Sequence, residues 1–420
     1  MMNVESRQKE RVDSDFDHYS TEYAENPHAV EHEMRGKCPM AWSERHGGFW
    51  VATSYEGFQR ALQDLDLCSS EKFDAEGNVV GGQSIPPYPG SRMIPDETDP
   101  PEWAMYRRLV SPSFAPAAVE RRRAAVEAFA IETVNSVIEK GEADFVHEIA
   151  SPVTALITMD ILGLPLGDWD TYSGPIRRNA ICDVSMKGVE ISERIYPRLA
   201  ETVAARRLKP ETGLVDELIA ARPEGEALSD QTIIDMIWQI LVGGFSTTSA
   251  LLSWSIYYLD QHREDHQDLI DDDRFLRIAT EEFVRWSSPV NTLARTVTRD
   301  VEIEGQEISA GDRMLFMFGA ANRDPKVFDS PDEVQLERFP NRHLGWGTGI
   351  HRCLGSNLAR LVFQETLRQV LRRMPDFSVD QERAQREPDR AGGNGWISLP
   401  LRFTPGPRVH TEYAYLSEFF

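Results

Sequence analysis

Apolar residues recur every three to four positions along most of the chain, and this period predicts helices over 116–139, 142–162, 194–208, 229–260, 273–286 and 354–373. Two segments read differently. GGFWVATSY at 47–55 reads as a strand, and DVEIEGQEIS at 300–309 reads as a hairpin turning at Glu304-Gly305, with Val301, Ile303 and Ile308 as its apolar positions. The pattern predicts a mainly α fold with small β-sheets. No internal repeat, low-complexity tract or Pro/Gly/Ser linker divides the chain, so one domain over 1–420 is expected. Residues 1–30 form its lead-in, and 407–420 form a C-terminal extension whose docking the pattern leaves open.

The segment SDQTIIDMIWQILVGGFSTTSALLSWSIYYLD (229–260) stands apart. At ~1.5 Å per residue it would be ~48 Å long and cross the whole molecule. Ser229 or Asp230 supplies its N-cap, and from Ile233 to Leu259 it is apolar nearly all round, as in a helix at the core of a large protein. A membrane span is the competing reading, but Asp235, Gln239 and the GGFSTT run interrupt it. Gly243 and Gly244 each cost such a helix about 0.5–1 kcal/mol relative to alanine. Either close helix packing offsets that cost, or a local distortion lets a flat cofactor or small ligand reach the backbone. By contrast, Glu71 to Pro101 is irregular and holds SIPPYPGSRMIP, which predicts a binding loop presenting Ile85, Tyr88, Met93 and Ile94, with disorder as the rival reading.

Charge narrows the partners. Lys and Arg total 45 against 68 Asp and Glu, a formal charge of −23, which argues against nucleic acid or an anionic membrane surface. The N-terminus is charged from its fifth residue and shows no apolar core, so neither signal peptide nor anchor is expected and the protein reads as cytoplasmic. Cys38, Cys68, Cys182 and Cys353 lie far apart without a CxxC pair, which disfavours a disulfide framework, a zinc ribbon or an iron–sulfur cluster. His351 and Cys353 could share one metal, but no second pair completes a tetrahedral site.

The stretch HLGWGTGIHRCLGSNLAR (343–360) carries the candidate chemistry. Gly345, Gly347, Gly349 and Gly355 allow tight turning and close approach, while Leu354, Leu358, Leu361 and Val362 place Cys353 near a helix N-terminus. There, unpaired N–H groups and the helix dipole are expected to lower the thiol pKa below its free value of about 8.5 and favour a thiolate, a nucleophile or a metal ligand.

Together, this loop, the GGFSTT helix and the Glu-x-x-Arg of Glu282 and Arg285 resemble the cytochrome P-450 haem-thiolate monooxygenases in their soluble bacterial form. The resemblance covers nearly the whole chain. The haem-loop pattern Phe-x-x-Gly-x-x-x-Cys-x-Gly matches Trp346, Gly349, Cys353 and Gly355, with Trp in the aromatic place. It implies haem b with Cys353 as axial iron ligand, whose electron donation favours O–O cleavage. It also implies a buried ion-pair network of Glu282, Arg285 and Arg338 bracing the loop, with SSPVNTLART and ANRDP following in the family's order. Trp103, Arg107, Arg295 and His351 match positions that hold the haem propionates, Trp103 standing where relatives often carry histidine. Gly347 belongs to the same haem loop.

On the long helix, Gly243, Gly244, Ser246 and Thr247 match the oxygen-activating run. Ser246 departs from it, because relatives carry Asp or Glu before the threonine. Ile85, Met93, Leu241, Phe245, Val290, Asn291, Thr292, Leu293, Trp396 and Ile397, with Asn394 and the segment from Gly167 to Ile191, match regions lining the substrate pocket. The implied activity is insertion of one oxygen atom from O2 into an apolar or mixed organic small molecule. Electrons are expected from NAD(P)H through a separate reductase and a ferredoxin docking near Arg107, Arg108, Arg352 and Arg360, on a monomeric protein. Two rivals remain open: a peroxide-using or ring- and bridge-forming haem-thiolate oxidase, motivated by Ser246, and a non-catalytic haem sensor, against which Thr247 beside Gly243-Gly244 argues.

Overall fold

A computed structural model of the chain describes residues 11–73, 77, 79–87, 92–179, 189–388 and 392–419. Tyr88, Cys182, the first ten residues of the expected lead-in and part of the segment from Gly167 to Ile191 lie outside the described residues. The main helices are α1 (Glu102–Phe114), α2 (Arg123–Asn135), α3 (Ser151–Leu162), α4 (Asp230–Leu259), α5 (Asp273–Ser287) and α6 (Ser356–Arg373).

Two expected helices are divided. The span 116–139 breaks at Arg122, whose φ of −91° and ψ of −1° separate Pro116–Arg121 from α2. The span 142–162 opens as a strand, Glu142–Asp144, paired with Pro400–Arg402. Asp144 then accepts from the Val146 and His147 N–H groups, and a π-helical turn, Phe145–Ala150, leads into α3. The helix expected over 194–208 begins earlier, as Val189–Leu208.

At the centre, α4 is capped by Ser229, whose Oγ accepts from the Thr232 N–H at 3.1 Å. It is α-helical from Asp230 to Leu259 without interruption, so of the two readings of Gly243-Gly244 the local distortion is absent. Close packing explains Gly244 instead. A Cβ there would lie 2.4 Å from Thr158 Oγ1 and 2.8 Å from its Cγ2, while Thr154 Oγ1 donates to the Phe245 carbonyl at 2.9 Å across the same α3–α4 seam. At Gly243 a Cβ would meet nothing within 4 Å. Gly244→Ala is therefore expected to lower stability by about 1–3 kcal/mol through overpacking, whereas Gly243→Ala should not lower it; chemical unfolding of the two variants checks this. Phe145–Leu162 and α4 are long and apolar enough to cross a membrane, but both are mostly buried inside the fold.

A six-stranded sheet flanks the helices. Its strands are β1 (Asp13–Ser14), β2 (Met40–Ser43), β3 (Phe49–Ala52), β4 (Cys68–Ser69), β5 (Thr292–Val297) and β6 (Arg313–Met317), in the spatial order β1-β2-β3-β6-β5-β4. The strand expected over 47–55 is shorter, because Ser54 Oγ accepts from the Gly57 N–H and starts the helix Tyr55–Gln63. The hairpin over 300–309 forms as Val301–Ile303 and Gln306–Ile308, with Glu304 at φ 53° and Gly305 at φ 77°. On β5 the side-chain alternation puts Leu293 and Arg295 on one face, where both border a small pocket beside the cysteine loop.

The C-terminal extension docks. Asn135 donates from Nδ2 to the Val409 carbonyl at 2.7 Å, Leu416 is fully buried, and Trp169 Nε1 donates to the Phe419 carbonyl at 2.9 Å.

Candidate active site

The cysteine loop closes on itself before α6 begins. The Cys353 N–H donates to the Trp346 carbonyl at 2.8 Å, and the Gly347 N–H to that of Leu344 at 2.7 Å. Gly349 has φ of 70°, and a Cβ there would lie 2.1 Å from the Leu62 carbonyl oxygen, so both conformation and space require glycine. Cys353 precedes α6 by three residues, as expected. Its thiol, however, is pushed above its ordinary value, because the surrounding protein and the nearby Asp96 carboxylate outweigh the Gly355 N–H, Arg107 and Arg352. The Gly355 N–H does act in the expected, lowering direction, and Cys353 is exposed. Of the other cysteines, Cys38 is buried with Sγ donating to the Met40 carbonyl, and Cys68 is half-buried with its thiol pushed up to about 12 by burial.

Two carboxylates on α5 brace this loop. Arg285 grips Glu282 through two bonds, Nε to Oε2 at 2.8 Å and Nη2 to Oε1 at 2.7 Å, with both side chains fully buried. Arg338 Nε (3.0 Å), Asn341 Nδ2 (2.9 Å) and the Gln335 N–H (2.8 Å) complete the Glu282 shell. Arg285 also donates to the carbonyls of Asn322, Pro331 and Glu333. Asn322 Oδ1 in turn accepts from the Leu344 N–H at 2.6 Å, which ties the network to the start of the loop.

The neighbouring Glu281 was not among the residues singled out from sequence. It accepts from His343 Nε2 (3.0 Å), Trp346 Nε1 (3.0 Å) and Arg360 Nε (2.6 Å), and the Arg360 guanidinium lies 4.6 Å from the Trp346 ring centroid. Burial alone would raise the Glu281 carboxyl, but the bonds from His343 and Arg360 hold it well below the usual carboxylate range. Trp346 in the aromatic place thus has a hydrogen-bond partner for its indole. Arg360, expected on the docking face, is instead committed to an ion pair.

Above the loop lies a cavity of about 620 Å3. It brings together Ile85, Met93, Gly243, Gly244, Phe245, Ser246, Thr247, Val290, Thr292, Leu293, Trp346, Gly347, His351, Cys353, Gly355, Trp396 and Ile397, all expected at the site, and also Asn394. Two expected pocket residues lie elsewhere. Leu241 is fully buried in the core, its place on the wall taken by Val242, because the phase of α4 turns it away. Asn291 is buried and donates from Nδ2 to Tyr23 Oη at 2.9 Å, on the opposite face of the chain from Thr292. Thr247 Oγ1 donates to the Gly243 carbonyl at 2.8 Å; Ser246 Oγ lies 3.4 Å from that of Val242.

Around His351, which lines the cavity, sits a cradle of donors whose other members, Trp103, Arg107 and Arg295, do not line the cavity itself. Trp103 Nε1 and His351 Nδ1 are buried without a partner, their rings 5.9 Å apart, and His351 Nε2 meets Ser70 Oγ at 3.0 Å. Burial, with Arg295 and Arg107 nearby, lowers His351 to about 3, so its imidazole is neutral. Arg295 is buried and, among the described residues, bonds the Ala294 carbonyl alone; Arg107, one turn after Trp103 on α1, donates to the Arg352 carbonyl at 2.7 Å. Neither guanidinium is in an ion pair among the described residues. Two uncommitted buried N–H groups and two arginines around His351, with the Cys353 thiol lining the same cavity as His351, fit a flat group carrying two carboxylates and a thiolate-bound metal, as haem b is.

The comparisons agree with this geometry. Residues 178–404 match the family model described as Cytochrome P450. The Steroid C26-monooxygenase of Mycolicibacterium smegmatis is 31% identical over 387 residues, covering 90% of this chain and 92% of that protein. The Mycinamicin IV hydroxylase/epoxidase of Micromonospora griseorubida is 32% identical over 343 residues, covering 79% of this chain and 83% of that protein. Among solved structures, the bacillaene polyketide synthase cytochrome P450 PksS of Bacillus subtilis 168 superposes with a TM-score of 0.80 at 26% identity, covering 93% of this chain and 100% of that one. The chain belongs to the cytochrome P450 family, and it is a haem-binding monooxygenase.

Proposed function

We propose that the enzyme inserts one oxygen atom from O2 into an apolar or mixed organic substrate, with electrons from NAD(P)H through a separate reductase and ferredoxin. The observation that carries this reading is that Cys353 and Thr247 line one largely apolar cavity. Haem b, bound through the Cys353 thiolate, supplies the oxygen chemistry. Trp103, Arg107, Arg295 and His351 hold its propionates, and the Glu282–Arg285–Arg338 network keeps the cysteine loop in place. Ile85, Met93, Phe245, Val290, Thr292, Leu293, Trp396 and Ile397 exclude water and orient the substrate. Relatives named for a steroid and for mycinamicin support a bulky, mostly apolar one.

Thr247 is the proton-handling residue. Its Oγ1–H, now on the Gly243 carbonyl, can turn to donate into the cavity while its lone pairs accept from water. Ser246 cannot store a proton as a carboxyl does, since a hydroxyl has no ionisation near neutrality. Protons then reach Thr247 through water or a substrate hydroxyl. Thr247→Ala is expected to keep haem and fold but to divert electrons from product to hydrogen peroxide, because proton delivery to the reacting oxygen needs a positioned donor. Unchanged product per NAD(P)H consumed would refute the assignment.

Ser246 also favours a second reading, peroxide-driven turnover; product formed from hydrogen peroxide without NAD(P)H would support it. For electron delivery, Arg108 and Arg352 are exposed and Arg107 bonds the Arg352 backbone, so these three form the docking patch we assign to an acidic ferredoxin.

A further inference from the structure

One carboxylate on the cavity wall has no counterpart in the chemistry described above. Asp96 borders the cavity, at the end of the proline-rich loop, and Gln239 reaches it from α4, donating from Nε2 to Asp96 Oδ2. Gln239, Gly243 and Ser246 fall on one face of α4, so this pair stands on the same wall as the residues proposed to handle oxygen.

Asp96 differs from the other charged groups around it. Glu97 is satisfied by the Gln83 and Met93 N–H groups at 3.1 and 2.9 Å, and Arg177 is paired with Asp170 at 2.6 Å. Asp96 has a neutral amide as its one hydrogen-bond partner among the described residues, and its Oδ1 has none. Arg107 and Arg295 lie within electrostatic reach, but each donates to a backbone carbonyl, and both are assigned above to the propionates. The pair is costly as it stands. Burial raises the Asp96 carboxyl to about 6, and Gln239 Oε1 is buried without a partner. A carboxylate withdrawn from water is stable when a cation and hydrogen bonds meet it, and Asp96 lines the space a substrate would fill.

We propose that Asp96, steadied by Gln239, anchors a protonated amine of the substrate, so that the enzyme acts on a basic but otherwise apolar molecule. This rests on the monooxygenase reading above and deepens it. An ammonium supplies the missing cation and a donor for Asp96 Oδ1, while the apolar remainder of the molecule meets Phe245, Val290, Leu293 and Ile397.

The test uses the haem-loaded enzyme and two probes, N,N-dimethyldodecylamine and dodecanol, titrated at neutral pH with the Soret blue shift of substrate binding as the readout. The wild type should bind the amine about tenfold more tightly than the alcohol, the scale of a charge-assisted hydrogen bond. Asp96→Asn should erase that preference by weakening the amine alone, and Asp96→Glu should retain part of it. Asp96→Ser repeats the test should the asparagine variant fail to load haem. Equal affinity of the wild type for both probes, equal loss of both in the variants, or a red shift showing the amine nitrogen on the iron would each overturn the anchor. The carbon-monoxide spectrum of the reduced wild type separates the two readings. If the red-shifted band is absent there, the haem-thiolate assignment fails; if it is present, the probe affinities judge Asp96.

Discussion

Cys353→Ser is expected to abolish the strongly red-shifted Soret band of the reduced carbon-monoxide complex and, with it, oxygen insertion. The substitution exchanges one atom, and the loop that presents it is held by backbone bonds from Cys353 N–H to Trp346 and from Gly347 N–H to Leu344, which serine leaves in place. Loss of the band in a folded variant therefore reports on the thiolate. Cys38 and Cys68 are spectators by their surroundings, one bonded to a backbone carbonyl and one with its thiol pushed up to about 12. Retention of the band in Cys353→Ser, or its loss in Cys38→Ser or Cys68→Ser, would overturn the ligand assignment.

Glu282→Ala is expected to cost stability on the scale of a broken buried ion pair, about 3–5 kcal/mol. It leaves Arg285 and Arg338 without the carboxylate between them, and Arg285 is fully buried. Haem retention should fall with it, because the Asn322 contact to Leu344 depends on the same cluster. Denaturant unfolding and haem loss to an acceptor protein measure the two effects. The pH dependence has a definite sign. Burial raises the Glu282 carboxyl, but Arg285 outweighs it and the net displacement is downward. Its contribution is therefore present above the ordinary carboxylate range and is lost as the pH falls through its depressed native value. Acid unfolding of the wild type should set in below that range, and Glu282→Ala should flatten this part of the profile.

What could be read from sequence was whatever local rules decide. The Cys353 loop, the Ser229 cap and the Glu304-Gly305 turn each depend on neighbours a few residues away, and each stands where its spacing put it. The misses follow from long-range placement. Leu241 and Val242 are equally apolar, and which of them faces the cavity depends on how α4 is rotated against α3. Glu281 was not singled out, because its partners Trp346 and Arg360 lie 65 and 79 residues away and meet it only in the fold. Asp96 and Gln239 are separated by 143 residues, and nothing in either neighbourhood marks them as a pair.

Gly243 and Gly244 are adjacent and identical, yet the first faces open space and the second lies against Thr158. A side chain added at Gly244 is therefore met by the α3–α4 seam and charged against folding. One added at Gly243 leaves that seam alone and is met first by whatever occupies the cavity, so the two positions separate stability from the shape of the site.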